Sequence, residues 1–457
     1  MDIKAIDRYI EENLENSIEE LSRLCAQPSV AAQGLGIDAC AELVAESLKA
    51  RGFEVQILPT GGSPVVFGER KGVDNKTLIV YDHYDVQPPE PLELWESPAF
   101  EPTIRNGRLY ARGVADNKGN FIERLHAIDA ILEAEGNLPC NVKFVIEGEE
   151  EIGSVNLEPF VRDHQEMLSG DVCVWEGGGV NQENSPIQMA GMRGICYVEL
   201  RVRTANQDVH SGTGGSIFPN AAWRLVWALS SIKDKDENIL LPGFYEDILP
   251  PSDRELELLA QQPEKMDFYK EKYGLDSFLK GIDDELELAI EAVYRPTCTI
   301  CGLTAGYQGE GSKTVLPAEA RAKVDFRLVP NQTPEKVLSQ LREHLDDHDF
   351  EDIEIINLSG NPPAKTDPDH WAIKMAIEAA RDVYEKPTLV KPMVGGSGPN
   401  FIFQKYLNVP IISSGAGDSE VRMHAPNESI SLDLYIKGAK HFARLLKLMG
   451  EGQASLQ

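Results

Sequence analysis

The sequence predicts an α/β domain interrupted by an inserted α+β domain. Three observations point there: short apolar strands alternate with helices over the first part, the character changes near Arg193, and the first pattern returns after Pro363. Residues 4–25 place Ile6, Tyr9, Ile10, Leu14, Ile18, Leu21 and Leu24 near a 3.6-residue period, which predicts one amphipathic helix ended by Pro28. A second helix, 37–51, closes at Gly52, the residue type suited to left-handed backbone just past a helix end. Residues 55–58, 65–69 and 77–81 read as successive strands. A helix with Ile122, Leu125, Ile128 and Leu132 on one stripe stops near Gly136, and a buried strand follows over 142–147. A short helix and a strand at 171–175 complete this part.

From Arg193 onward a strand at 195–202 leads through the polar turn Asp208-Val209-His210-Ser211-Gly212 into a helix with Ala221, Ala222, Leu225 and Leu229. Residues 233–290 are acidic, punctuated by proline and mostly of helical period, and resemble an insertion. Strands at 297–301, 313–316 and 320–329 come next, the last with Val324, Phe326 and Leu328 on one face and Asp325 and Arg327 on the other. A helix at 334–345 and a strand at 353–357 end at Asn361-Pro362-Pro363. The first pattern then resumes with a helix at 370–385, the loop Gly395-Gly396-Ser397-Gly398, a strand at 409–413 and a helix at 432–449. The expected division is 1–193 and 363–457 for the interrupted domain and 194–362 for the inserted one. Residues 451–457 are expected to fray.

The chain has 457 residues, 42% hydrophobic and 26% charged, which suits a globular protein with a large core. A net charge of -30 opposes binding to nucleic acid or an anionic membrane surface. No apolar run reaches the roughly 20 residues a bilayer span requires, and residues 1–20 carry no signal-peptide core, so neither is expected. Seven scattered cysteines, an odd number, fit a reducing cytoplasm. Cys298-Thr299-Ile300-Cys301 has CxxC spacing, but no second pair accompanies it and Thr299 and Ile300 suggest a strand.

Chemistry gathers at the strand ends. Glu147-Gly148-Glu149-Glu150-Glu151-Ile152-Gly153-Ser154 puts four carboxylates in five residues, a repulsion that solvent or cations must relieve. The third strand empties into His83-Tyr84-Asp85, where an extended chain points His83 and Asp85 to one side. Asp85 is therefore expected to accept from one imidazole nitrogen while the other faces a metal. Asp116 precedes a helix and is either its N-cap or a ligand. Glu176 ends another strand, and His424 lies in the loop after the last one. The other six histidines lack such a setting and read as structural or surface residues.

Taken in order, HxDVQP at His83–Pro88, RGxxDxKG at Arg112–Gly119, EGxEExGS at Glu147–Ser154, Glu176, HSG at His210–Gly212 and His424 resemble a family. It is the dinuclear metallopeptidase superfamily of carnosinases, glutamate carboxypeptidases, acetylornithine deacetylase and succinyl-diaminopimelate desuccinylase, with the carnosinase-like dipeptidase branch most similar. The resemblance implies a catalytic domain with a mixed sheet flanked by helices, and a ferredoxin-like lid that also mediates dimerisation. It implies Asp116 bridging two divalent ions, zinc with manganese or cobalt as options, one with His83 and Glu176 and the other with Glu151 and His424. Glu150 would be the general base, Asp85 would orient His83, and His210 would serve the neighbouring subunit's site. Arg327, with Thr314 and Ser397, would hold the substrate's carboxylate.

Asp82 and Asn117 depart from the family pattern, where glycine and a second aspartate are usual, and Glu176 stands where aspartate is frequent. The expected activity is hydrolysis of the amide bond of dipeptides or similar small substrates with a free carboxylate. The alternatives are an N-acyl- or N-carbamoyl-amino-acid amidohydrolase and a non-catalytic, metal-dependent peptide-binding protein.

Overall fold

Leu78, Ile79, Val80 and Tyr81 have no solvent exposure, so the strand Thr77–His83 is buried on both faces, as a strand in the middle of an α/β sheet must be. The computed structural model describes residues 1–262 and 265–452. Within them the chain forms two compact units. The first comprises Met1–Ala190, Thr366–Pro392 and the chain from Pro399 onward; the second comprises Gly191–Lys365 and the short segment Met393–Gly398.

The first unit is built on a mixed six-stranded sheet in the order Glu54–Leu58, Val65–Arg70, Asn141–Glu147, Thr77–His83, Val172–Trp175, Ile411–Ser413. The first two strands run antiparallel, and the last four run parallel to one another. His83, Glu147, Trp175 and Ser413 therefore finish at the same sheet edge, the place where open α/β sheets hold their ligands. The helix Lys118–Glu135 is buried nearly all round, more than a single apolar stripe implies. Ile3–Glu12, Leu14–Ala26 and Leu432–Glu451 all pack against it.

The expected helix at 4–25 is two helices, because Asn13 leaves helical geometry and turns its side-chain amide back to the Tyr9 carbonyl. The predicted strands are present and several run slightly longer, whereas those expected at 171–175, 313–316 and 409–413 are the shorter Val172–Trp175, Val315–Leu316 and Ile411–Ser413. Short pieces escaped the sequence reading: the helix Phe401–Leu407 and the small sheet of Thr103–Arg105, Arg108–Tyr110 and Ser429–Ser431. Glu451 is still helical, and the fraying expected beyond it, at 453–457, lies outside the described residues. Among the described residues no helix is long and apolar enough to cross a membrane.

In the second unit an antiparallel sheet runs Thr297–Ala305, Glu319–Leu328, Gly194–Arg203, Glu354–Asn361. The period-two pattern read from the sequence holds: Val324, Phe326 and Leu328 enter a core with the helices Ala221–Ile232 and Pro334–Asp347, and Asp325 and Arg327 lie on the opposite face. Cys298 is buried and Cys301 exposed on one of these strands, and both are free thiols. The region 233–290 forms Asp253–Gln261 and Met266–Tyr273 and begins Glu285–Tyr294.

Among the described residues of the first unit, Glu123 is a buried acid with both carboxyl oxygens unbonded. It is fully enclosed, and a Cβ at Gly438 would lie 2.3 Å from its carboxyl carbon. Burial pushes this carboxyl well above the usual range, with Arg124 opposing the shift. The folded state thus holds the proton more tightly than the unfolded chain. The stability this gives is complete below the unfolded value and falls by about 1.4 kcal/mol per pH unit as pH rises toward the folded value. Glu123→Gln is expected to remove that slope, so its melting temperature should exceed the parent's increasingly from pH 5 to pH 8. A difference that stays constant with pH would show that Glu123 does not titrate in this way.

Candidate metal centre

Each predicted residue of the first unit is delivered by a strand end or the loop that follows it. His83 closes its strand, and Asp85 lies two residues on, both buried. The His83 Nδ1 bond runs at 3.0 Å to the main-chain carbonyl of Asp85, with the carboxylate 3.4 Å away, so the expected side-chain bond is only partly realised. The Asp85 carboxylate instead accepts the backbone N–H groups of Glu150 at 3.2 Å and Glu151 at 3.0 Å. One residue thereby meets the histidine through its carbonyl and fixes the acidic loop through its side chain.

The loop is tight because Gly148 lies against the Tyr84 ring, where a Cβ would come within 2.4 Å. Glu147 and Glu149 are structural: Tyr81 and Ser154 donate to the first, at 2.6 and 2.8 Å, and the Ser63 N–H and Asn156 amide to the second, at 2.8 and 2.7 Å. Glu150 and Glu151 open a turn of 3-10 helix. The Gln87 amide donates to Glu151 at 2.8 Å.

Asp116 is not an N-cap. Asn117 occupies that position, and the Asp116 carboxylate faces two histidines, Oδ1 lying 3.0 Å from His83 Nε2 and Oδ2 3.1 Å from His424 Nε2. Asp116, Glu151 and His424 offer ligand atoms within 4.8 Å of one another, and His424 Nε2 lies 3.2 Å from Glu151. On the other side His83 Nε2 stands 3.7 Å from Glu176 Oε2, a buried oxygen without a hydrogen-bond partner among the described residues. His424 itself is a non-glycine residue in the left-handed region, φ 61°, a conformation that must be held by its surroundings.

Two residues that sequence reasoning did not single out hold this arrangement. The Glu428 carboxylate accepts from Arg112 at 2.7 Å and from the N–H groups of Gly113, Ala115 and Asp116 at 2.8–3.0 Å, so the loop carrying His424 grips the loop carrying Asp116. Arg124, fully buried, donates to Asp82 at 2.5 Å and to the carbonyls of Tyr81, Trp175, Glu176 and Ser414. Asn117 also donates to Asp82, at 3.0 Å. Two of the positions that depart from the family pattern, Asp82 and Asn117, are thus in contact with each other. An arginine inside an apolar helical stripe was the available signal for Arg124.

The electrostatics show an excess of buried acid. Burial pushes Glu176 well above the usual carboxylate range, and the charge of Glu150 adds to it. Burial, opposed by His83 and reinforced by Asp116, pushes Glu150 up to about 7. Burial acts against a charged His83, but its bonds to Asp116 and Asp85 outweigh it and hold the imidazole well above its ordinary value. Asp116 likewise raises His424 to about 10. Burial would raise Asp116 too, yet its bonds to His424 and His83 bring it below the usual range. Two imidazoles and three carboxylates, one of them with an orphaned buried oxygen, form a donor set that fits borderline divalent cations such as zinc, manganese or cobalt.

The remaining predicted residues lie in the second unit and form two pairs. His210 Nδ1 accepts the Gly212 N–H at 3.0 Å, so the neutral ring carries its proton on Nε2, which lies 3.2 Å from Thr314 Oγ1. Arg327 Nη1 donates to Ser397 Oγ at 2.9 Å, and Arg327 Nε lies 3.5 Å from Asp325.

Comparison with known proteins agrees with this geometry. Beta-Ala-His dipeptidase of Rattus norvegicus is 30% identical over 400 residues, 85% of this chain and 80% of that protein. The Cys-Gly metallodipeptidase dug1 of Schizosaccharomyces pombe is 30% identical over 398 residues, 83% of this chain and 81% of its own length. The crystal structure of the M20 family metallo-carboxypeptidase Sso-CP2 from Sulfolobus solfataricus superposes with a TM-score of 0.90 at 36% identity, covering 95% of this chain and 99% of that one. With the pattern of Peptidase family M20/M25/M40 matched across residues 79–448, spanning every strand end that feeds the centre, the chain belongs to that peptidase family.

Proposed function

We propose that this chain is a two-metal dipeptidase that cleaves the amide bond of a dipeptide, or a similarly small substrate, bearing a free carboxylate. The observation that carries the reading is the Asp116 carboxylate, each oxygen of which meets a different histidine, with Glu176 beside one and Glu151 beside the other. His83, Asp116 and Glu176 would hold one cation, and Asp116, Glu151 and His424 the second. Cations bound there supply Lewis acidity, polarising the scissile carbonyl and acidifying water. Relatives named as a Beta-Ala-His dipeptidase and a Cys-Gly metallodipeptidase support dipeptides as the substrate class.

Glu150 is the general base in this reading. It sits one residue before Glu151, on a backbone fixed by Asp85, so its carboxyl is held beside the ligands without being one of them. It takes the proton of the attacking water and returns it to the leaving amine, and burial raises its basicity toward that task. Asp85 keeps the His83 ring oriented. The His210 Nε2–H is a donor for the tetrahedral oxyanion, in the neighbouring subunit of a homodimer. Arg327, steadied by Ser397, receives the substrate's carboxylate, with Thr314 beside His210. Residues 1–193 and 363–457 form the catalytic domain and 194–362 the lid. Scattered free thiols support a cytoplasmic setting.

Replacing Glu150 with glutamine should leave metal content intact and lower kcat by about 10²–10⁴; near-parental turnover in the fully metallated variant would refute its role. Asp116→Asn is expected to lower metal content at both positions together, measured by elemental analysis. On a substrate panel, dipeptides should be cleaved well ahead of acetyl, succinyl and carbamoyl amino acids. The reverse order would make the chain an amidohydrolase of acylated amino acids.

A further inference from the structure

Six residues change allegiance within the chain. Met393–Gly398 belongs to the second unit, although the chain before it, Thr366–Pro392, and the chain from Pro399 belong to the first. This captured segment carries Ser397 to Arg327. What captures it is largely the region 233–294, to which the mechanism assigns nothing.

The contacts are specific. Met393, 2% exposed, packs in a small core with Leu259, Ala289 and Tyr294 from the helices Asp253–Gln261 and Glu285–Tyr294. The next residue, Val394, is held on both sides by backbone bonds, its N–H donating to the Gly191 carbonyl at 2.9 Å and its carbonyl accepting from the Arg193 N–H at 3.1 Å. The Arg193 side chain, 6% exposed, turns to the end of Glu285–Tyr294 and donates to the Ala292 and Arg295 carbonyls at 2.8 and 3.0 Å. These are orphan carbonyls of a helix C-terminus, which a guanidinium satisfies in pairs. Gly191 pairs with Lys365, and Lys365 Nζ lies 2.5 Å from Glu255, 1% exposed, in the first turn of Asp253–Gln261. Ser252 donates its N–H and hydroxyl to the same carboxylate. Arg193 and Glu255 are buried charges, each tying one inserted helix to the strands flanking Val394.

We propose that Arg193 and Glu255 are positioning residues for the substrate's carboxylate, acting by locking Met393–Gly398 so that Ser397 fixes the Arg327 guanidinium. The inserted helices serve recognition through this lock. The inference rests on the assignment of Arg327 to the carboxylate. Arg327 pairs with Ile195 and Thr297 in the sheet, so its backbone is set by strands, while its guanidinium is set by Ser397. A loosened segment would leave the arginine in place and its fork misdirected, a defect of binding and not of the chemical step.

The test uses the full metal-reconstituted chain with Arg193→Lys, Glu255→Gln and Met393→Ala, the last keeping both charges should either polar variant fail to fold. A dipeptide and its C-terminal amide are compared, with Arg327→Ala as reference. Each positioning variant is expected to raise KM for the free dipeptide by about 5–30-fold, with kcat within twofold and the amide unaffected. Added to Arg327→Ala, Glu255→Gln should raise KM no further, since it acts through that arginine. Folded variants with parental KM, while Arg327→Ala raises it, overturn the inference and leave the carboxylate site standing. Equal effects on dipeptide and amide overturn it as well. If Arg327→Ala itself fails to distinguish the two substrates, the carboxylate assignment falls first and the inference with it.

Discussion

A buried guanidinium sets the geometry on which the centre depends. Arg124 reaches from its helix to the sheet edge, where it joins the carbonyls that end two neighbouring strands to the carbonyl of Ser414 beside a third. Asp82 supplies the countercharge. Burial favours a neutral Asp82, and Arg124 opposes that. Enclosing both charges is costly, and such a pair holds because additional hydrogen bonds engage the guanidinium's two terminal nitrogens. Removing either member would strand the other in the interior, typically at about 3–5 kcal/mol. His83, one residue past Asp82, and Glu176, whose carbonyl Arg124 binds, inherit their positions from this pair.

Above it the acids divide by what their oxygens can reach. In the run from Glu147 to Glu151, two carboxylates each accept two hydrogen bonds from neutral donors and shape the loop. The other two face the histidines and Asp116, where neighbouring acids add to the burial that raises Glu150. Neutral donors cannot relieve that repulsion, because they add no charge. Cations can. The net charge of -30 belongs mainly to the surface, but the same sign inside the fold is concentrated at this one edge.

Much of this was legible in the sequence because strand ends announce themselves. An apolar run that stops at a histidine or glutamate places that residue at a sheet edge, and the parallel order then brings His83, Glu150, Glu151 and Glu176 together. Asp116 was ambiguous, since a carboxylate ahead of a helix is also an N-cap; in the fold Asn117 takes the cap position and Asp116 faces two histidines. Arg124, Glu428 and the link from Asp85 to the acidic loop were not legible. Their partners lie 42 and 65 residues off for Asp82 and Glu150, and more than 300 for Glu428, and hydrogen bonds at such separations leave no periodic trace. The break at Asn13 was missed because its apolar residues keep helical spacing across it.

The grip of Glu428 on the Asp116 loop also imposes an order of assembly. His83, Asp116, Glu151 and Glu176 all leave the ribosome long before His424 and Glu428, and the sheet's edge strand Ile411–Ser413 comes almost as late. Until that last stretch of chain arrives, the Asp116 backbone lacks the carboxylate that holds it. The arrangement therefore forms late even in a chain that folds as it is made. A nascent protein that carries His83, Asp116, Glu151 and Glu176 but not yet Glu428 holds those side chains without the lock between their loops.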